Sequence, residues 1–174
     1  MSSCERDTRA ARAGAIGLIA VLCAVLASCG FHLRGQASYA FHSIYVNGAG
    51  SPPLATQLDR ALEATGSARV VQTAKEAEVV LDLTQVADDK EVLSLSGAGG
   101  VLEYQLIKRV EFSLHGQDGA PWLPPAEISL RRTYTFNETE VLARQMQEQR
   151  LLQDMQTDAV YQIIRRLQAA RKPG

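Results

Sequence analysis

The chain has 174 residues and a nearly balanced charge, with 18 lysines and arginines against 19 aspartates and glutamates. A chain this neutral lacks the basic field on which nucleic-acid binding depends, so we expect no nucleic-acid partner. Once an N-terminal signal is set aside, the remaining length fits a single domain that buries a core without disulfide or metal staples.

The first 28 residues have the three parts of a bacterial secretory signal. Arginines precede an uncharged run from Ala13 to Leu26, which is shorter than the ~20 residues of a membrane-spanning helix. The motif Leu26-Ala27-Ser28-Cys29 then ends the run with a branched residue, two small residues and a cysteine. This order is similar to a lipoprotein signal and predicts a signal peptide over residues 1–28. An ordinary cleavage site that precedes a cysteine by chance is the alternative.

Cys29 is the only cysteine left after cleavage, because Cys4 and Cys23 leave with the signal. An exported chain with one cysteine forms no internal disulfide. We expect Cys29 to carry an S-diacylglycerol and an N-acyl chain such as palmitate, which anchor the protein without spanning the membrane. Gly30 stands where an aspartate would favour inner-membrane retention. The expected location is therefore the periplasmic face of the outer membrane of a Gram-negative cell.

The mature chain begins with a tether, followed by a strand and a helix. Residues 29–40 form the predicted lipidated tether, and residues 41–172 form a single predicted periplasmic domain that opens with a strand. Two prolines after the potential cap Ser51, and Gly66 at the other end, predict a helix between these positions.

The middle of the chain has the alternation of a long antiparallel hairpin. Apolar and polar residues alternate over residues 79–96 and 101–115, and a glycine-rich turn separates the two runs. Leu93 and Leu95 share the parity of Val79, so the pattern predicts all three on the same apolar face.

The last third of the chain predicts a loop, a strand and a long helix. The loop of residues 116–125 is rich in glycine and proline, and residues 128–136 alternate again as a strand. Residues 139–171 have a helical apolar stripe, with a break expected between residues 144 and 149. The predicted fold class is α+β, a two-layer sandwich of two helices packed on one face of a mostly antiparallel sheet of about four strands.

Two cations interrupt the apolar face of the predicted sheet. The alternation of its strand places Lys108 among the residues of the apolar face. The predicted register puts Asp89 opposite it on the neighbouring strand, with Glu91 next on the same face. The alternation of the last strand likewise places Arg132 on its apolar face. It either pairs with an acid on a helix or lies at an opening of the sandwich.

No catalytic motif is present, and we expect no enzyme activity. The sequence has no Gly-x-Ser-x-Gly, no His-Glu-x-x-His and no phosphate-binding glycine loop. The three histidines, at positions 32, 42 and 115, lack metal-ligand spacing, so no metal or dissociable cofactor is expected. Arg131, Arg132 and Arg144 flank one strand-to-helix connection, where they either grip phosphates or remain solvated surface charges.

Three motifs resemble the LptE family of lipopolysaccharide-assembly lipoproteins. The mature chain opens with Cys29-Gly30-Phe31-His32-Leu33-Arg34-Gly35, which looks like the start of that family. Glu103-Tyr104-Gln105 is similar to an internal family motif. Asn137, followed by Val141-Leu142-Ala143-Arg144, resembles the family's strand-to-helix junction. The likeness covers the mature chain in element order and size.

The resemblance implies both a fold and a function. The fold is a sandwich of two helices on a four-stranded sheet. The implied function is to plug the outer-membrane β-barrel LptD, assist its assembly and help deliver lipopolysaccharide to the cell surface. Arg144 matches the junction and is the first choice for a phosphate contact. The family's basic residue in the central hairpin turn is replaced here by Ser96 to Gly100, which weakens the expectation of a ligand contact at this turn.

Two other functions remain as alternatives. A periplasmic lipoprotein that binds a small amphiphile without a barrel would have an apolar cavity between sheet and helices. A periplasmic enzyme would need an activity that survives mutation of every histidine, because no nucleophile and base are paired in the sequence.

Overall fold

The computed structural model describes residues 38–136 and 141–173. The predicted signal peptide, Cys29, residues 30–37 and Asn137 lie outside the described residues. The described elements follow in chain order: β1 (Ser43–Asn47), α1 (Pro52–Thr65), β2 (Arg69–Val70), a 3-10 turn (Ala74–Glu76), β3 (Val79–Leu95), β4 (Val101–Gly116), β5 (Pro121–Thr135) and α2 (Val141–Ala169).

The sheet has five strands in the order β2-β1-β3-β4-β5. β3, β4 and β5 are antiparallel, as predicted, but β1 runs parallel to both β2 and β3. The α+β class and the two helices are confirmed, whereas the prediction of about four mostly antiparallel strands is wrong. The parallel pairs arise because α1 carries the chain back to the starting end of β1, a crossover that alternation along one strand does not reveal.

Helix α1 begins and ends where its sequence signals predict. Ser51 is the extended N-cap residue, and its carbonyl accepts the backbone N–H of Ala55 at 3.0 Å. Gly66 ends the helix with φ of 64°, a left-handed conformation that costs glycine little. Leu54, Leu58 and Leu62 of this helix are buried. The predicted cap position is confirmed, although the Ser51 hydroxyl makes no cap hydrogen bond.

The β3–β4 hairpin is confirmed, but its predicted register is wrong. A bulge between Leu83 and Gln85 inserts one residue and exchanges the faces of residues 85–92, after which the register shifts again. Val92, and not Leu93, therefore lies opposite Tyr104. Leu93 and Leu95 are 50% and 58% exposed, so they do not continue the buried face of Val79.

Strand β5 begins within the segment predicted as a loop. Only a tight turn separates it from β4, and Gly116 N–H donates to the carbonyl of Ala120 at 2.9 Å across that turn. Pro121 then starts the strand, which continues through two further prolines. The prolines are tolerated because β5 is an edge strand, where a missing N–H does not interrupt the sheet.

Helix α2 is continuous from Val141 to Ala169, so the predicted break between residues 144 and 149 is wrong. It contacts β4, β5 and α1. Its buried stripe consists of Met155, Ala159, Val160, Ile163, Ile164 and Leu167. No described helix is both long enough and apolar enough to span a membrane.

A single hydrophobic core joins these elements. Alternate residues of the strands share it with the apolar stripes of both helices. The first two turns of α2 extend past this core, and Leu142 and Met146 there are 73% and 69% exposed. The conformation of this overhanging segment therefore depends on polar contacts rather than on apolar burial.

Candidate functional site

Two of the candidate arginines are neighbours in β5 and point to opposite faces of the sheet. Arg132 faces α2, where its Nη2 lies 2.6 Å from Oδ2 of Asp158. Of the two sequence interpretations of Arg132, pairing with a helix acid is the one observed. Arg131 is exposed and projects from the opposite face.

Arg144 lies in the first turn of α2 and is partly exposed. Its Nη1 donates to Oε1 of Gln147 at 2.9 Å, one helical turn along. Residues 137–140 of the connection to β5 lie outside the described residues. Arg131 and Arg132 do not point together, and the proposed phosphate contacts of the three arginines stay predictions.

A carboxylate in the overhanging part of α2 joins this helix to the hairpin. Oε2 of Glu148 lies 2.6 Å from Nζ of Lys90 in β3 and accepts a 2.5 Å hydrogen bond from the hydroxyl of Tyr134 in β5. Nζ of Lys90 also lies 4.1 Å from the ring centroid of Tyr104 in β4, within cation–π range. Glu148 thus contacts two strands directly, β3 and β5, and Lys90 extends the cluster to Tyr104 of β4.

Aromatic rings continue this contact toward the strand-to-helix connection. The ring of Tyr104 stacks on that of Tyr134 at 5.7 Å between centroids and meets Phe136 edge-on at 5.3 Å. The Glu103-Tyr104-Gln105 motif therefore supplies the central ring of a cluster that supports the start of α2. Double-mutant cycles assign such aromatic pairs about 0.5–1.5 kcal/mol each.

The pKa values of this cluster reflect its mutual contacts. Burial by itself raises the pKa of Glu148, but hydrogen bonds from Lys90 and Tyr134 outweigh burial and hold this pKa below its usual value. Burial lowers the pKa of Lys90, and the Glu148 carboxylate more than reverses that effect. The pKa of Tyr134 is raised, first by burial and then by its hydrogen bond to Glu148.

We expect Glu148→Gln to lower the free energy of unfolding at pH 7 by about 1 kcal/mol, since it removes a partly buried ion pair. Because the folded-state pKa of Glu148 is depressed, its stabilisation is complete above the unfolded pKa and is lost as pH falls through the folded pKa. The difference between the two proteins should therefore vanish in acid. Urea denaturation at neutral and acidic pH measures it.

The exposed carboxylate of Glu127 in β5 provides the control for that measurement. Glu127→Gln should leave the free energy of unfolding unchanged at either pH. If Glu148→Gln lowered the free energy of unfolding by the same amount at both pH values, the charge of Glu148 would not be what holds α2.

A buried cation lies below the same helix. Lys108 is 3% exposed, and it is the buried charged residue of the described ranges. Its Nζ lies 2.5 Å from Oδ1 of Asp88. The predicted partner Asp89 is wrong, because the bulge moves Asp89 to the opposite face, where it pairs with Arg109 at 2.6 Å.

Three clefts among the described residues lie outside the helix–sheet layer. One of about 480 Å³ is lined by loop and strand residues that include Glu76, Glu78, Trp122 and Lys172. A second, of about 450 Å³, follows the outer surface of α2. Side chains fill the layer between helices and sheet, with Phe112, Leu114 and Met155 fully buried. None of these features favours an amphiphile cavity between the layers.

The described histidines each contact a carboxylate of their own. Nδ1 of His42 lies 3.3 Å from Oε2 of Glu78, and Nε2 of His115 lies 3.0 Å from Oδ2 of Asp82. His32 lies outside the described residues. Within residues 38–136 and 141–173, no group of histidine, cysteine, aspartate and glutamate residues is arranged to hold a metal ion.

The core of this chain, including the hairpin and both helices, matches a known protein family. The family model described as LptE, lipopolysaccharide-assembly, matches residues 41–167. The chain belongs to the LptE family. This result confirms the resemblance seen in the sequence motifs, and Tyr104 and Arg144 lie inside the matched range. The LptE family consists of lipopolysaccharide-assembly lipoproteins, not enzymes, and has no known cofactor.

Three solved structures are similar to this LptE chain. Lipoprotein B from Nitrosomonas europaea is 33% identical, with a TM-score of 0.71 over 80% of this chain and 91% of that one. Rare lipoprotein B from Shewanella oneidensis is 26% identical, with a TM-score of 0.63 over 74% and 95%. A minor lipoprotein from Acinetobacter baumannii shares the fold, at 23% identity and a TM-score of 0.59 over 78% and 98%. No curated protein matches the chain significantly.

The Lys90–Glu148–Tyr134 cluster is the part of this LptE site that sequence reasoning missed. Lys90 and Glu148 are 58 positions apart in the sequence. In addition, the sequence predicted an uninterrupted alternation along β3, which placed the Lys90 side chain on the wrong face of the sheet. A bulge near Thr84, inferred from the polar residues that follow Leu83, would have put Lys90 beside the helix.

Proposed function

We propose that this chain is an outer-membrane lipoprotein that plugs and helps assemble the LptD β-barrel and takes part in delivering lipopolysaccharide to the cell surface. The observation that carries the proposal is the LptE family match over residues 41–167, which includes α1, the hairpin and all but the last two residues of α2. The similarity to two proteins named lipoprotein B supports the lipoprotein part of the proposal.

The surface of the hairpin suits a partner with a wet interior. Arg109 and Asp89 form an exposed ion pair on the face opposite α2, and Glu91 and Glu111 are exposed beside them. A polar, hydrated surface of this kind is compatible with a β-barrel lumen, whose inward-facing residues are polar. The lumen of LptD is accordingly the proposed environment of the hairpin.

The proposal includes the membrane anchor and its boundaries. Residues 1–28 act as the signal peptide, Cys29 carries the lipid chains, and residues 29–40 connect it to the domain of residues 41–172. Two or three acyl chains bind a membrane stably, at ~0.8 kcal/mol per buried methylene. The chain would then be lipid-anchored at the periplasmic face of the outer membrane, where it also reaches the barrel.

A pull-down from detergent-solubilised outer membranes tests the plug. The full chain with a C-terminal tag should co-purify with a large β-barrel at a one-to-one ratio, because a plug is enclosed by its partner. Recovery of the lipoprotein alone would contradict the barrel role. In that case, uptake of a fluorescent lipid probe by the purified protein would support the amphiphile-binding alternative.

Arg144→Asp should weaken lipopolysaccharide binding about tenfold, because charge reversal removes a guanidinium contact to a phosphate and adds repulsion. Titration of purified lipopolysaccharide against the full chain measures the affinity. Arg150→Asp, an exposed reversal further along α2, is the matched control and should retain the affinity. Equal losses in both variants, or none in Arg144→Asp, would return Arg144 to the class of solvated charges.

A further inference from the structure

The outer edge of β5 is protected against pairing with another strand. Three prolines, at positions 121, 124 and 125, lie in its first half. Further along the strand, Arg166 donates to the carbonyl of Glu127 at 3.0 Å, and Arg132 donates to the carbonyl of Arg131 at 3.2 Å. Proline and charged side chains are the usual means by which proteins protect an edge strand.

Among the described residues, the outer side of β3 beyond its first residues has no proline and no side chain that donates a hydrogen bond to its main chain, although residues 88–91 are charged. β1 pairs with β3 only as far as Asn47 and Asp82. The loop after β1 then touches β3 at Gly50, where a Cβ atom would lie 2.5 Å from the carbonyl oxygen of Leu83. Beyond this contact, no described strand pairs with the outer side of β3. The open edge therefore starts at Gln85.

This open edge is regular and long enough to pair with another strand. From Gln85 to Val92 the pairing with β4 has no register shift, and bulges lie just before and just after this segment. Eight residues, none of them proline, cover about 26 Å at ~3.3 Å per residue. In such an edge, every second residue directs its N–H and C=O groups outward. We name residues 85–92 the open edge.

The charges of the open edge identify the kind of strand that fits it. Asp89 and Glu91 lie on the face opposite α2, and Glu91 forms no ion pair with a described residue. On the face toward α2, Asp88 and Lys90 are already paired, and Val86 and Val92 supply apolar contact at the two ends. Antiparallel pairing of two copies of this edge would bring acids against acids, which is unfavourable.

We propose that the open edge binds one extended segment of a partner protein by strand addition, with basic side chains beside Asp89 and Glu91 and aliphatic side chains on the face toward α2. Main-chain hydrogen bonds hold such a segment, and the alternating side chains select it. Prolines and arginines shield the main chain of β5, whereas no described proline or side-chain hydrogen bond shields that of the open edge, and this contrast supports occupation of the open edge when the protein functions. The proposal does not depend on the identity of the barrel.

Hydrogen exchange on the full mature chain in detergent tests the proposal. The probe is a synthetic peptide in which lysine alternates with valine, and its control replaces the central valines by prolines at equal charge. The alternating peptide should slow amide exchange within residues 85–92 and leave residues 126–134 unchanged. The proline peptide should have no effect, because it cannot form a strand.

Two exposed acids provide matched variants. Glu91→Lys should weaken binding of the alternating peptide about fivefold, because attraction beside the open edge becomes repulsion. Glu127→Lys, on the protected edge, should bind the peptide as the parent does. The proposal is overturned by absence of protection at about 1 mM peptide, by equal protection with the proline peptide, or by protection that rises with protein concentration alone, which would show self-pairing.

Discussion

Asp88→Ala is expected to lower the free energy of unfolding by about 2 kcal/mol, because it leaves the ammonium of Lys108 buried without its carboxylate. Breaking a buried ion pair from one side typically costs about 3–5 kcal/mol. The value here is smaller because the Asp88 side chain is 45% exposed, so water reaches part of the pair. Chemical denaturation of the purified chain measures the change.

Removing both charges should restore most of this stability. Lys108→Met keeps an unbranched stem of similar volume and removes the charge, so Asp88→Ala/Lys108→Met should lie within about 1 kcal/mol of the parent. Asp89→Ala is the control, since its exposed pair with Arg109 is worth only about 0–1 kcal/mol. A larger loss in Asp89→Ala than in Asp88→Ala would contradict the observed register and favour the one predicted from the sequence.

Cys29→Ser is expected to abolish lipidation and leave an uncleaved precursor, longer by residues 1–28, at the inner membrane. A thiolate is a strong nucleophile at which a diacylglyceryl group can be attached, and a serine hydroxyl is far weaker. Incorporation of labelled palmitate and migration on a gel report lipidation and cleavage separately.

Cys23→Ser is the matched control because Cys23 lies inside the apolar run, six residues before Cys29. It should be lipidated and cleaved as the parent is. Normal processing of Cys29→Ser would refute the lipoprotein signal, and it would leave the small-residue cleavage site as the explanation of residues 26–29.

The bulge near Thr84 shows which features of a strand its alternation of apolar and polar residues can predict. Alternation over β3 and β4 predicted the hairpin, since side chains with period two specify a strand whatever its neighbours are. It did not predict the bulge, because one inserted residue changes the face of everything after it without changing the composition. The partner of Lys108 and the face of Lys90 were therefore both assigned wrongly.

The candidate arginines show that the sequence also does not predict which residue of another helix or strand a side chain contacts. The sequence placed Arg132 on the apolar face of its strand, and one of its two interpretations was an ion pair with an acid on a helix. Asp158 of α2 is that acid. Which acid it would be depends on how α2 passes over β5, and helical periodicity does not specify this. The sequence also suggested a break in α2, where Glu148 instead joins an unbroken helix to the hairpin.

By itself, the sequence determined the local elements and the family: the lipoprotein signal pattern, the capped α1, the hairpin, the long α2 and the LptE motifs. The local elements follow from interactions between residues that are close along the chain, and the signal and family motifs are themselves short runs of the sequence. Only the tertiary structure decided the parallel pairing of β1, the partner of Lys108, the Lys90–Glu148–Tyr134 cluster and the open edge of β3. Each of these depends on which distant segments lie side by side, and that choice is made by packing of the whole core rather than by any local propensity.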